Sequence, residues 1–123
     1  MQEQLYPTAS RELAHKRTQL APGISTAFKA FGAAVFADGA LPAKTKQLIA
    51  VAAAHVTQCP YCIRGHTEAA LKKGATEQEI MEAIWVAAEM RAGAAYAHSV
   101  LALETMNQHN AAHPGGDPEA NRK

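Results

Sequence analysis

Cys59-Pro60-Tyr61-Cys62, followed by His66, is the densest group of reactive side chains in the sequence. The two cysteines are the only ones in the chain. Their C-x-x-C spacing lets two sulfurs meet as a disulfide within one helical turn, provided that the first lies at the helix start. A helix N-terminus carries roughly half a positive charge, which stabilises a thiolate placed there. Cys62 and His66 are four residues apart and share one helix face. An imidazole within reach of Cys62 can take the thiol proton or hold the thiolate as an ion pair. On that basis Cys62 is expected to ionise below an ordinary cysteine.

Two neighbouring thiols suggest a cycle. One sulfur attacks an oxidant such as a hydroperoxide and becomes a sulfenic acid, and the other condenses with it to a disulfide. An external dithiol then restores the pair by exchange. Two other readings of the same residues stay open. The cysteines could form half a zinc site, although no second Cys/His pair with ligand spacing accompanies them; His109 and His113 are four apart but lie by the tail. They could also be inert residues buried in an ordinary helix.

Those side chains need elements to hold them, and the composition points to helices. Alanine fills about a quarter of the 123 residues, aromatic residues only 6%. Alanine is the best helix former and lets helices approach closely. No alternating β-branched run appears, so an all-α bundle of about six helices is expected. An irregular arm covers residues 1–8. Ser10 caps a helix over Arg11–Leu20, which Pro22 and Gly23 interrupt. A second helix runs from Ile24 to Phe36, with Phe28, Phe31, Val35 and Phe36 on one side. Asp38-Gly39 marks a turn. Pro42 then suits the first turn of a third helix. That helix carries Leu48, Ile49, Val51, Ala52 and Val56, and should be largely buried.

Pro60 disfavours helical geometry at Cys59, so the third helix should stop near Gln58. Cys59 then becomes the N-cap and Pro60 the first residue of a fourth helix reaching Lys73. Gly74 suits its C′ position. Thr76 and Glu79 form a capping-box pattern for a fifth helix, with Ile80, Ala83, Ile84 and Ala87 on one face. Gly93 marks a break or a close contact. A last helix to Asn110 uses Tyr96, Val100, Leu101, Leu103 and Met106. Residues 1–111 read as a single domain and 112–123 as a flexible tail.

The stretch from Lys44 to His98 resembles the core of the carboxymuconolactone decarboxylase superfamily, and more narrowly its alkyl hydroperoxidase D-like branch. The carrying pattern is C-x-x-C-x-x-x-H, then K-x-G-A-T-x-x-E-I entering the next helix. The resemblance implies an all-helical homo-oligomer, a trimer or hexamer. It implies Cys62 as the peroxidatic residue, Cys59 as the resolving residue and His66 as the proton-relay imidazole. It further implies a lipoyl-bearing protein as reductant, and no haem, flavin or metal. One position departs from the pattern. The peroxidase branch places a glutamate twelve residues before the first cysteine, where this chain has Gln47. Glutamine hydrogen-bonds but does not accept a proton at neutral pH. The pattern can also carry a histidine between the cysteines, where this chain has Pro60 and Tyr61.

Weaker candidates follow. Tyr61 could shield or bond a sulfur, and His98 could line a pocket. Glu68 and Glu89 could replace the missing carboxylate, but read more simply as solvated helix faces. His55 reads as a packed helix residue, Arg64 as a surface charge, and Trp85 as a core or subunit-contact residue.

The functional expectation is a thiol-dependent peroxidase acting on a small hydroperoxide. The alternatives are a redox-sensing or oligomeric interaction protein, and a decarboxylase or lactone-handling enzyme. The last would not require two cysteines three apart. A net charge of +1 excludes the basic footprint of a nucleic-acid binder. No apolar run approaches ~18 residues, so no membrane span is expected. The polar N-terminus shows no secretory leader, which suggests a cytoplasmic protein.

Overall fold

A computed structural model describes residues 5–115. Within them the chain forms α1 (Arg11–Leu20), α2 (Pro22–Phe36), α3 (Ala43–Thr57), α4 (Pro60–Lys72) and α5 (Glu77–Ala112). No strand occurs among the described residues, so the all-α expectation holds. Of the expected arm, residues 1–4 lie outside the described residues, as do residues 116–123 of the expected tail.

Local chemistry sets each boundary. The Ser10 hydroxyl accepts the Leu13 amide at 3.2 Å and starts α1. The second helix begins at Pro22 rather than Ile24, because proline fits the first helical position, where no amide partner is needed. Pro42 is the N-cap of α3, not its first residue. The Asp38 carboxylate does the capping from a distance, accepting the Ala43 amide at 2.7 Å. Gln58 ends α3 in the left-handed region, at φ 56°. It turns the chain so sharply that Cys59 already caps α4. Gly74, at φ 90°, closes α4. The Gly74 amide donates to the Leu71 carbonyl and the Ala75 amide to the Ala70 carbonyl, both at 3.0 Å. This pair of hydrogen bonds is the Schellman arrangement, and its accompanying apolar contact joins the buried Ala70 and Ala75. Thr76 and Glu79 form the expected reciprocal box at the start of α5.

The expected break at Gly93 does not occur, which leaves five helices instead of about six. α5 runs unbroken for 36 residues, about 54 Å at 1.5 Å per residue. A helical glycine costs only about 1 kcal/mol, and Ala92, Ala94 and Ala95 offset it with strong helix preference.

α3 is the central element, packed against α4 and α5, while α1 and α2 form a hairpin that touches α3 lightly. The buried cluster is small: Val51, Ala70, Ala75 and Ile80, with Leu48 and Ile84 against it. Within α3, Val51 is fully buried but Ile49 and Val56 are about half exposed. This corrects the expectation of a largely buried third helix. The aromatic face of α2 is also open, with Phe28 at 65% and Phe31 at 66% exposure. Trp85, Tyr96, Val100, Leu101, Leu103 and Met106 on α5 are exposed as well. These side chains therefore form no core within one chain.

Candidate active site

The dithiol sits where α3 turns into α4. Cys59 has extended backbone geometry, and its sulfur accepts the Cys62 amide at 3.3 Å. Proline at the next position has no amide, so the donors aimed at this sulfur are the Tyr61 and Cys62 backbone groups. Both cysteines are free thiols and partly exposed.

Their ionisation is uneven. Cys59 is held below the ordinary thiol range, first by the hydrogen bond from the Cys62 thiol and then by the Cys62 amide. Cys62 is pushed up, first because it donates that hydrogen bond to Cys59, then by burial and by the charge on Cys59. The expectation of a lowered Cys62 is thereby corrected. The helix-start field acts on the residue at the cap, and one negative charge between two sulfurs makes the second hold its proton.

His66 lies one turn beyond Cys62 on α4. No hydrogen bond joins its ring to either sulfur among the described residues. Instead Nδ1 pairs with Gln47 Oε1 at 2.8 Å. Phe36 stacks on the ring with centroids 5.1 Å apart. Gln47 is the buried polar residue of α3, at 7% exposure. Because a glutamine oxygen only accepts, Nδ1 carries a proton in this bond, and in the neutral ring Nε2 holds the lone pair. The amide fixes the tautomer as a carboxylate would, without supplying negative charge.

Tyr61 points away from the thiols into the N-terminal arm. Its hydroxyl donates to the Pro7 carbonyl at 2.6 Å, and Tyr6 meets its ring edge-on at 6.1 Å. A cleft of about 430 Å³ opens beside it, lined by Pro7, Ser10, Leu13, Ala14 and Arg17 with Tyr61. Exposed Arg64 lines a smaller neighbouring hollow with Glu68.

The remaining candidates fall elsewhere. His98 is exposed on the distal half of α5 and makes no hydrogen bond or ring contact with the dithiol or His66. His55 bonds back to the Val51 carbonyl of its own helix at 2.7 Å. Glu68 pairs with Lys72 at 3.3 Å on an open face. The Glu89 carboxylate lies against Gly93, one turn on. His109 and His113 stack on each other at the end of α5. Among the described residues no group of three or more His, Cys, Asp or Glu could hold a metal ion. Residue spacing missed Phe36, whose stacking on His66 needs the approach of the end of α2 to α4 to be known.

A helical dithiol with a glutamine-held histidine places the protein in a defined class. Residues 22–105 match the model of the carboxymuconolactone decarboxylase family, and the chain belongs to that family. It is 58% identical over 102 residues to uncharacterized protein 4 in the cox locus of Paracoccus denitrificans, covering 83% of this chain and 91% of that protein. A Cupriavidus necator protein is 40% identical over 86 residues, 68% of this chain and 76% of the other. Among solved structures, a carboxymuconolactone decarboxylase family protein from Legionella pneumophila superposes with a TM-score of 0.63 at 35% identity, covering 79% of this chain and 87% of that one. A protein from Methanobacterium thermoautotrophicum gives 0.64 at 40% identity, with 68% and 93% covered. No helix among the described residues is long and apolar enough to cross a membrane.

Proposed function

We propose that the protein is a redox enzyme that cycles Cys59 and Cys62 between dithiol and disulfide, reducing a small hydroperoxide. The observation that carries this reading is the pairing of two partly exposed free thiols, one of them held ionisable at a helix start. Inert structural cysteines are buried in apolar surroundings and have no such donor set. In the cycle one sulfur is oxidised to the sulfenic acid and the other displaces water to form the disulfide. An external dithiol, such as a lipoyl group on a carrier protein, returns both electrons by exchange. His66, with its free Nε2 lone pair, is the base of the site.

Gln47 favours one further reading. An amide does not relay a proton away from His66, so a slower dithiol serving as a redox sensor fits the same geometry. A decarboxylase or lactone-handling reaction would leave the thiol count untouched.

Free-thiol titration before and after one equivalent of an organic hydroperoxide tests the proposal. The expected result is loss of both thiols per chain and their return with excess dithiothreitol. An unchanged thiol count overturns it.

A further inference from the structure

We infer that Phe36 is a positioning residue of the site: its ring holds the His66 imidazole in one orientation, whether the imidazole is neutral or protonated. The inference rests on the dithiol cycle proposed above, in which His66 takes up and releases a proton. The two rings stack with centroids 5.1 Å apart and planes 29° from parallel. Gln47 Oε1 meets the same imidazole at Nδ1, 2.8 Å away. One contact lies on the edge of the imidazole and the other on its face. Rotation of a histidine ring about its Cβ–Cγ bond is broad and roughly two-fold, and one hydrogen bond at an edge selects between orientations only modestly. A ring against the face obstructs the turn itself.

Phe36 is held in place by the stretch of α3 that leads into Gln47. It is the last residue of α2. The carbonyl of the next residue, Ala37, accepts the Lys46 ammonium at 2.6 Å. One residue further on, the Asp38 carboxylate accepts the Ala43 amide at 2.7 Å. The end of α2 is therefore tied twice to the first turn of α3, although the hairpin as a whole touches α3 lightly. Both clamps on His66 share this anchor. Charge gives the aromatic ring a role beyond packing. On taking a thiol proton, His66 becomes an imidazolium. A carboxylate at position 47 would balance that charge, but the Gln47 amide is neutral. No carboxylate pairs with His66 among the described residues. The face of an aromatic ring attracts a cation within about 6 Å of its centroid, and 5.1 Å lies inside that range. Gln47 accepts from Nδ1–H in both charge states. The imidazole thus keeps its place as the proton comes and goes.

Two substitutions in the full chain test this. Phe36→Leu keeps an apolar side chain and removes the π face. Phe36→Tyr keeps the face, and its hydroxyl can reach water because the residue is only partly buried. Nitrogen-15 NMR of the reduced protein, with the ring neutral, reads the His66 tautomer. Stopped-flow thiol oxidation by an organic hydroperoxide reads the chemistry. In the wild type the Nδ1 and Nε2 signals should lie far apart, the mark of one tautomer. In Phe36→Leu they should draw together, and oxidation should slow by about tenfold. That is smaller than the loss of about 10²-fold or more expected for a base left unoriented, because Gln47 remains. Phe36→Tyr should restore both readouts. Unchanged nitrogen signals or an unchanged oxidation rate in Phe36→Leu overturn the inference, as does a tyrosine variant that behaves like leucine. If circular dichroism shows that leucine unfolds the chain, Phe36→Met replaces it with the same expectations. A wild type that hydroperoxide leaves unoxidised removes the dithiol cycle instead. Converging nitrogen signals in the leucine variant then still uphold Phe36 as the residue that orients the ring, and unchanged ones overturn it.

Discussion

Replacing Gln47 by leucine removes the acceptor that holds His66 and leaves the volume of α3 nearly unchanged. Gln47 is 7% exposed and its bond to Nδ1 is 2.8 Å long. An intramolecular hydrogen bond contributes about 1 kcal/mol net, and a buried donor left without a partner costs about 1–3 kcal/mol. His66 is only partly buried, so water recovers some of that cost, and leucine adds apolar burial beside Val51. The net destabilisation is about 1–2 kcal/mol. At about 4 °C per kcal/mol for a chain of this length, the melting temperature should fall by about 4–8 °C. The effect on chemistry is separate and larger. Without the amide nothing selects the Nδ1–H tautomer, and the ring is free to turn against Phe36. Loss of an oriented base costs about 10²-fold or more, so single-turnover oxidation of the dithiol by hydroperoxide should slow by about that factor. Scanning calorimetry and stopped-flow thiol oxidation measure the two effects. Gln47→Glu, which keeps an acceptor at the same place, should retain the wild-type oxidation rate or exceed it. A leucine variant that oxidises at the wild-type rate would refute the reasoning that His66 acts through its glutamine.

Three further outcomes follow from the structure. Thr76→Ala removes the acceptor of the Glu79 amide in the capping box and should cost about 1 kcal/mol of stability, read by chemical denaturation. Glu79 is held below the usual carboxylate range, chiefly by the Lys44 ammonium at 2.9 Å. A carboxylate depressed in the folded state adds stability that is present above its ordinary value of 4.5 and lost as pH falls through the folded one. Lys44→Met should therefore flatten the acid limb of the stability curve below that value, and an unchanged limb would show that the pair contributes nothing. The open apolar faces of α2 and distal α5 should bring copies of the chain together, because paired surfaces bury what one chain leaves in water. Sedimentation at micromolar concentration should show an oligomer; a monomer peak alone would refute self-association.

The elements around the site were legible because local chemistry marks them. Ser10, the Cys59-Pro60 pair, Gly74 and the Thr76–Glu79 box each act within a few residues, and the structure finds each where its type requires. The dithiol was visible for the same reason. What spacing missed depends on contacts between helices. Gln47 and His66 are nineteen residues apart, so only the resemblance singled out position 47, and it could not show which atom the side chain would meet. The uneven ionisation was missed because the helix-start field and the imidazole were both credited to Cys62, whereas the first-turn amide reaches the Cys59 sulfur. The break expected at Gly93 failed because alanine-rich flanks override one glycine. The apolar residues of α2 and α5 show helical periodicity whether their partner is the same chain or another, so periodicity alone assigned them a face without an occupant.

The cap position of Cys59 also governs the energetics of electron transfer. A thiolate held by helix-start amides stabilises the reduced pair relative to the disulfide, which raises the reduction potential and eases regeneration by an external dithiol. The proton count makes this measurable. Below the ionisation of Cys59, reduction takes up two protons with two electrons, and the potential falls by about 59 mV per pH unit. Between the ionisations of Cys59 and Cys62 only one proton accompanies the two electrons, and the slope drops to about 30 mV per pH unit. Because Cys59 is lowered and Cys62 raised, this half-slope region should be wide and should begin below the ordinary thiol value of 9.0. Equilibration with glutathione or dithiothreitol across a pH series reads it directly. A full slope persisting up to the ordinary thiol range would mean that no thiolate forms at the start of α4, and that the cap does not activate the sulfur.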